Sequence, residues 1–286
     1  MRYGEAATPY VMITFQRTTM PARVMQRGRG DPRFSLVFPT FNAGAGLERT
    51  WTEVSAFLGR MGPDWEVIFV CDGCTDGSQE FLEKHAPEAH GRIRVLSYAP
   101  NRGKGYAVRY GMAAARGRWC LFTDVDLAYP FEDIVRLSEV LENGADIAIA
   151  SRVHPESRLL LPSSLLGYAY RRHLQSLAFS MVARWLLPLT QRDTQAGLKG
   201  LSARTMRLVL PHLRCDGFGF DCELLTGCAR FGLSVQEVPV CVRYDDAKST
   251  TGLLTLGRMV RELLRIRRTW RQAPEIVSET TCLEAA

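Results

Sequence analysis

Short, nearly continuous apolar runs alternate with segments of helical periodicity between residues 33 and 152. The apolar runs end in turn-forming sequences and lie at 34–42, 65–73, 92–99, 118–126 and 145–152. The segments with helical spacing lie between them, at 47–61, 78–86, 105–117 and 131–144. Strands that are apolar throughout are typical of a parallel sheet covered on both sides. The pattern predicts an α/β fold with a mostly parallel central sheet and helices on both faces.

After Arg152 the pattern changes. Residues 163–190 are helical, aromatic-rich and basic, a late strand is predicted at 234–244, and 253–270 is a basic amphipathic helix. We therefore expect peripheral amphipathic helices beside the sheet. The predicted organisation is a flexible N-terminal extension, a main domain, a basic amphipathic helix and a disordered acidic tail, at 1–32, 33–250, 251–272 and 273–286.

Charge and composition narrow the possible partners. The 286 residues carry a net charge of +6, and 32 of the 36 basic residues are arginine, whose planar guanidinium suits phosphate. No nucleic-acid-binding signature is present, so phosphorylated substrates or an anionic membrane surface fit the charge better. Without a spanning segment or a signal peptide, we expect a cytoplasmic protein, and the arginine bias is typical of a GC-rich bacterial source.

The eight cysteines are scattered along the chain. Cys71 and Cys74 form a C-x-x-C pair, but no second pair stands at zinc-binding spacing. The pattern favours free thiols in a reducing compartment over a disulfide framework.

Charged residues follow several of the predicted strands. Asp124 and Asp126 follow the fourth apolar run, and if that backbone is extended both carboxylates point the same way. Asp72 follows the second strand, and Lys104 lies among glycines before a helix. Ligands bind at the carboxyl ends of strands in open α/β sheets, and paired carboxylates suit Mg²⁺ or Mn²⁺. A simple strand cap and turn is the alternative.

Several motifs, in this order, resemble inverting family 2 glycosyltransferases. They are LVFPTFN, CDGCTDGS, NRGKGYAVRYG, TDVDLA, ASR, DTQAGLKG, FDCELL and EVPV. Over residues 34–250 the chain is most similar to dolichyl- and polyprenyl-phosphate sugar transferases, especially the β-glucosyltransferases, with related mannosyltransferases. The resemblance implies the GT-A fold, a nucleotide-sugar donor of the UDP-glucose or GDP-mannose type, and a divalent metal, Mg²⁺ or Mn²⁺.

The resemblance also implies roles for individual residues. Asp124 and Asp126 would hold the metal, and Asp72 would accept a hydrogen bond from the nucleobase. The remaining candidates for donor binding or catalysis are Pro39, Lys104, Arg152, Gln195, Lys199 and Asp221, with Glu223 as a second candidate base. Two motifs depart from the family pattern: Ala43-Gly44 replaces two glutamates, and Cys71 replaces an aspartate.

The acceptor separates three hypotheses. The first is transfer of a hexose to a polyprenyl or dolichyl phosphate, for which the stretches 163–190 and 253–270 would lie in the headgroup plane of the cytosolic leaflet. In the alternative, both helices pack on the core. The second hypothesis is a soluble acceptor in a secondary-metabolite pathway, and the third is a non-catalytic nucleotide-sugar-binding scaffold.

Overall fold

The computed structural model describes residues 31–161, 166–217, 219–243 and 253–272. The predicted acidic tail and all but the last two residues of the predicted N-terminal extension lie outside these ranges. Within the described residues, no helix is both long enough and apolar enough to cross a bilayer.

Seven strands form one mostly parallel sheet in the order β3-β2-β1-β4-β7-β5-β8, and β6 and β9 form a separate parallel pair. Only β7 runs antiparallel to its neighbours, β4 and β5. The prediction of a mostly parallel sheet is therefore confirmed. The strands are β1 (Phe34–Thr40), β2 (Trp65–Asp72), β3 (Ile93–Tyr98), β4 (Trp119–Phe122), β5 (Ile147–Ser151), β6 (Arg158–Leu160), β7 (Lys199–Ser202), β8 (Val235–Pro239) and β9 (Cys241–Arg243).

Helices cover both faces of this sheet. They are α1 (Gly46–Met61), α2 (Ser78–His85), α3 (Lys104–Ala114), α4 (Phe131–Glu142), α5 (Leu166–Leu186), α6 (Ala203–Val209), α7 (Phe220–Arg230) and α8 (Leu253–Gln272). Alternate strand residues point to opposite faces, so Val37 packs in one apolar layer and Leu36 and Phe38 pack in the other. One layer lies under α1, α2 and α4, and the other lies under α3 and α5–α8.

The sequence pattern missed two features of the sheet. The strand β7 was not predicted, because its sequence, KGLS, is short and contains a charge and a glycine. The single strand predicted at 234–244 is instead two strands in different sheets, which are separated at Val240.

The apolar side of α8 packs on the core. Leu263, Ile266 and Trp270 are buried in the layer shared with α5 and α7. The prediction that the apolar side of α8 lies in a membrane is therefore wrong for Leu263 and Ile266, which the protein itself covers, whereas Leu264 is exposed. The predicted apolar positions 253, 254, 256 and 259 lie outside the described side chains.

Candidate active site

The carboxyl ends of β1, β2 and β4 meet at one edge of the sheet. Thr40 of β1 is in register with Cys71 of β2, so Asp72 comes directly after that position. Val37 of β1 is in register with Phe122, the last residue of β4. The Val37 carbonyl accepts a hydrogen bond from the Thr123 amide at 3.1 Å. The segments containing Asp72 and Asp124 therefore leave the sheet at the same edge, as the parallel topology predicts.

Asp124 and Asp126 lie in a turn beyond β4. The strand ends at Phe122, so the expectation that extended backbone aligns the two carboxylates is wrong. The turn closes through the Leu127 amide, which donates to the Asp124 carbonyl at 3.3 Å, while Asp126 Oδ1 accepts from the Ala128 amide at 3.1 Å. Leu127 has a φ of 52°, a left-handed conformation that is costly for a branched side chain. The turn leaves Asp124 half-buried and Asp126 exposed.

Lys104 brings the predicted acids together. As the first residue of α3, it places its Nζ 2.5 Å from Asp124 Oδ1. Burial alone would lower the pKa of Lys104, but the carboxylates of Asp124, Asp221 and Asp126 outweigh burial and raise that pKa above its ordinary value. Lys104 is therefore paired with Asp124 and lies within the electrostatic influence of Asp126 and Asp221.

Asp72 holds the loop that leads to Lys104. Its buried carboxylate accepts from the Arg102 amide at 2.6 Å, from the Gly103 amide at 2.9 Å and from Asn101 Nδ2 at 3.0 Å. Gly103 has a φ of 101°, and a Cβ there would lie 2.5 Å from the Asp216 carbonyl, so only glycine fits. The structure gives Asp72 an anchoring role that the sequence did not indicate. Its predicted contact with a nucleobase stays a prediction.

The segment 193–199 passes directly beside Asp124. The Gly197 amide donates to Tyr129 Oη at 3.2 Å, and a Cβ at Gly197 would lie 2.2 Å from Asp124 Oδ2. Glycine is required here by this close approach. Gln195, predicted to bind the donor, is partly buried and its Nε2 lies 3.6 Å from Cys222 Sγ.

Arg152 forms a two-pronged ion pair with Asp193. Its Nε lies 2.7 Å from Asp193 Oδ2 and its Nη2 lies 2.8 Å from Oδ1, while Nη2 also donates to Ser176 Oγ of α5 at 3.1 Å. Burial would raise the pKa of Asp193, but the hydrogen bonds and charge of Arg152 hold that pKa below its ordinary value. The charge of Arg152 is thus already compensated within the protein, and its predicted contact with a phosphate stays a prediction.

Lys199 supports Asp221 from inside the core. The side chain of Lys199 is fully buried, and its Nζ lies 2.6 Å from Asp221 Oδ1 and 2.6 Å from the Ala196 carbonyl. Because Lys199 is inaccessible, the structure does not bear out its predicted grip on a phosphate. The ion pair instead fixes Asp221 at the start of α7, close enough for its charge to raise the pKa of Lys104.

The loop between α6 and α7 joins this edge to α8. Glu223, the second candidate base, is buried and accepts from the Arg214 and Cys215 amides at 2.8 and 2.7 Å. Glu223 therefore holds this loop, and burial raises its pKa above the ordinary value. Glu262 of α8 accepts from the Gly219 amide at 2.7 Å, just before α7 begins. This contact could not be predicted from local sequence patterns, because Glu262 and Gly219 lie far apart along the chain.

Two other predicted features lie at the same edge. Pro39, near the end of β1, is partly buried and in register with Val70. Cys74 Sγ lies 3.4 Å from the Thr40 carbonyl, and a hydrogen bond with Cys71 lowers the pKa of Cys74 to about 7. Within the described residues every cysteine is a free thiol, and no three acidic, histidine or cysteine side chains gather as a metal site.

The two carboxylates of the 124–126 turn suit a hard divalent cation. Both are oxygen donors, neither is fully buried, and Lys104 is the cation paired with Asp124 in the described residues. The chemistry of these two side chains therefore fits Mg²⁺ or Mn²⁺.

Comparisons with known proteins show what the whole chain resembles. Residues 35–188 match the family described as glycosyl transferase family 2. Two curated relatives named dolichyl-phosphate beta-glucosyltransferase are similar over most of the chain. The protein from Drosophila melanogaster is 32% identical, and the alignment covers 81% of this chain and 73% of the relative. The protein from Saccharomyces cerevisiae is 27% identical, and the alignment covers 82% of this chain and 73% of the relative. These eukaryotic relatives give no support to the expected bacterial source.

Solved structures share the fold. Glucosyl-3-phosphoglycerate synthase from Mycobacterium tuberculosis, in complex with uridine diphosphate, aligns with a TM-score of 0.60 at 22% identity over 86% of this chain and 82% of its own. A complex of the same enzyme with Mn²⁺, uridine diphosphate and phosphoglyceric acid aligns with a TM-score of 0.59 at 20% identity, with 86% and 80% covered. At such identities the likeness shows the fold alone.

Proposed function

Because this chain belongs to glycosyl transferase family 2 and is a glycosyltransferase with the GT-A fold, we propose that it transfers glucose from UDP-glucose to a polyprenyl or dolichyl phosphate. The glucosyl bond to UDP would break, and an oxygen of the lipid phosphate would bond to the sugar carbon from the opposite face. The products are UDP and a lipid-linked glucosyl phosphate. The observation that carries the proposal is the ion pair of Lys104 with Asp124, in the turn that also contains Asp126.

We propose that Asp124 and Asp126 hold Mg²⁺ or Mn²⁺. Bound there, the metal would neutralise the negative charge that grows on the leaving diphosphate. Asp124 would then share its carboxylate between this metal and the ammonium of Lys104. Lys104 would give a point charge to the donor phosphates.

The acceptor determines what Asp221 does. A phosphate acceptor is already anionic near neutral pH and needs orientation rather than deprotonation, whereas a hydroxyl acceptor needs a general base. Asp221 is held by Lys199 within electrostatic reach of Lys104, so it could orient either kind of acceptor or serve as the base for a hydroxyl. With a lipid acceptor, we place the enzyme as a peripheral protein on the cytosolic face of a membrane.

A soluble phosphorylated acceptor is the second candidate. It follows from the phosphate-suited arginine bias of the chain, and the synthase that shares this fold has a complex with phosphoglyceric acid, which supplies a probe for this candidate. The two candidates share the donor chemistry and differ only in the acceptor.

One assay separates them. The enzyme is incubated with radiolabelled UDP-glucose, Mn²⁺ and either polyprenyl phosphate or phosphoglyceric acid, and the label is partitioned between organic and aqueous phases. We expect metal-dependent label in the organic phase, reduced by about 100-fold or more in Asp126→Asn. Asp64→Asn, which changes an aspartate on a turn before β2, is the matched control. Label only in the aqueous product would favour the soluble acceptor, and full activity of Asp126→Asn would refute the metal assignment.

A further inference from the structure

The outward side of α5 is apolar. Leu174, Leu177, Met181 and Trp185 follow at steps of three and four residues, so they share one side of the helix. Their exposed fractions range from 37% for Leu177 to 81% for Trp185. The opposite side is buried through residues such as Phe179, so α5 is apolar on both sides. An outward stripe of this kind marks an interaction surface.

Exposed apolar side chains are concentrated in this part of the molecule. Nine large hydrophobic side chains are exposed among the described residues, and six of them belong to α5 or α8. The other three are Phe41, after β1, and two leucines of β6. This concentration distinguishes the surface from the scattered apolar residues that any protein exposes.

The adjacent helix presents arginines. Helix α8 packs beside α5, and with its apolar side in the core it turns a basic side outward. Four exposed arginines recur at helical spacing on that side: Arg261, Arg265, Arg268 and Arg271. Glu262 is the one acidic residue of α8, and its carboxylate is bound to the Gly219 amide.

We propose that the outward sides of α5 and α8 form one docking face for an anionic lipid surface. The α5 stripe would enter the boundary between headgroups and acyl chains, and the α8 arginines would bind headgroup phosphates. The inference builds on the lipid-linked acceptor proposed above. Ser176, on the inner side of α5, contacts Arg152, so α5 lies between the docking face and the Arg152–Asp193 pair.

Charge favours a lipid surface over a second copy of this chain. In a two-fold dimer the same patch meets itself, which would place the four arginines of one α8 beside those of the other. No acidic side chain of α8 is free to compensate them. An anionic bilayer supplies both the phosphates and the apolar layer.

Vesicle flotation tests the docking face. The full chain is mixed with vesicles of phosphatidylcholine, alone or with phosphatidylglycerol, at low and high salt. We expect flotation that requires the anionic lipid and weakens with salt. Arg265→Ala/Arg268→Ala should lower the partition coefficient by about 25-fold, at about fivefold per arginine, and Met181→Ser/Trp185→Ser by at least about tenfold. Arg60→Ala is the matched control, because Arg60 lies on α1, which covers the other face of the sheet.

The outcomes separate docking from catalysis. Failure of the wild type to float at low salt, or flotation unchanged in both double variants, would overturn the docking face. A dimer in light scattering that dissociates in Met181→Ser/Trp185→Ser, without flotation, would assign the surface to a second copy. Flotation without lipid glucosylation would refute the proposed acceptor alone, whereas lipid glucosylation in detergent without flotation would refute docking alone. Unchanged thermal unfolding of each variant establishes that it is folded.

Discussion

Replacing Gly197 by alanine should impair catalysis without destabilising the fold. The added Cβ would lie 2.2 Å from Asp124 Oδ2, and its next neighbours would be Asp124 Cγ at 3.1 Å and Tyr129 Cε2 at 3.6 Å. To restore a normal contact, the Asp124 carboxylate must move by about 1 Å. That shift disturbs its bond of 2.5 Å to Lys104 and the position of any metal held there.

A displacement of about 1 Å at a reacting centre typically costs about 100-fold in rate. We therefore expect kcat/KM of Gly197→Ala to fall by about 100-fold and the Mn²⁺ concentration needed for half-maximal activity to rise. Stability should change little, since alanine restricts the unfolded chain and so offsets strain by about 0.4–1 kcal/mol.

The assay combines metal-dependent transfer with urea unfolding. Gly59→Ala is the matched control, because Gly59 lies within α1 with no atom within 4 Å of its added Cβ, and this variant should keep full activity. Wild-type kinetics and metal dependence in Gly197→Ala would show that Asp124 does not need its observed position. Loss of several kcal/mol of stability would instead show that the added methyl disturbs the core.

Three further predictions follow from the buried charges and thiols. Lys199→Met should lower the free energy of unfolding, measured in urea, by about 3–5 kcal/mol, because it leaves Asp221 buried without its partner. Adding Asp221→Asn should restore most of this loss, and a double variant as unstable as Lys199→Met would contradict the prediction. In the folded protein the pKa of Asp193 lies below its ordinary value. The ionised carboxylate therefore stabilises the fold at any pH above the ordinary pKa, and this stabilisation is lost as the pH falls through the lower folded pKa. The free energy of unfolding should therefore fall less steeply with decreasing pH in Arg152→Gln than in the wild type. Parallel curves of unfolding free energy against pH for the two proteins would argue against the ion pair. The pKa of Cys74 is about 7, so its rate of alkylation by iodoacetamide should increase as the pH rises through neutrality. Cys71 is fully buried and should be found unmodified by mass spectrometry.

The sheet was largely predictable because its parallel strands are buried on both faces. The runs at β1, β2, β4 and β5 are predominantly apolar, which identifies them without tertiary information. Strand β7 lacks such a run, and its Lys199 is tolerated in the core only because Asp221 pairs with it. A partner 22 residues away cannot be recognised from local periodicity.

The candidate site was predictable in position but not in its contacts. Asp124, Asp126 and Lys104 could be placed at the same edge of the sheet, because the carboxyl ends of parallel strands lie together. The pairing of Arg152 with Asp193 and the approach of Gly197 to Asp124 depend on how distant loops cross, which composition and spacing do not encode. Helical periodicity showed that α8 has an apolar side, but it could not show that the core covers that side.

The contact between Glu262 and Gly219 has a consequence for how the protein matures. The described strands all precede residue 244, so every one of them is synthesised before α8. The loop before Asp221 lacks its Glu262 contact until α8 has emerged from the ribosome and packed. A nascent chain that stops before α8 would contain every described strand but an unfinished catalytic edge. The ability to bind the donor should therefore be among the last properties that the growing chain acquires.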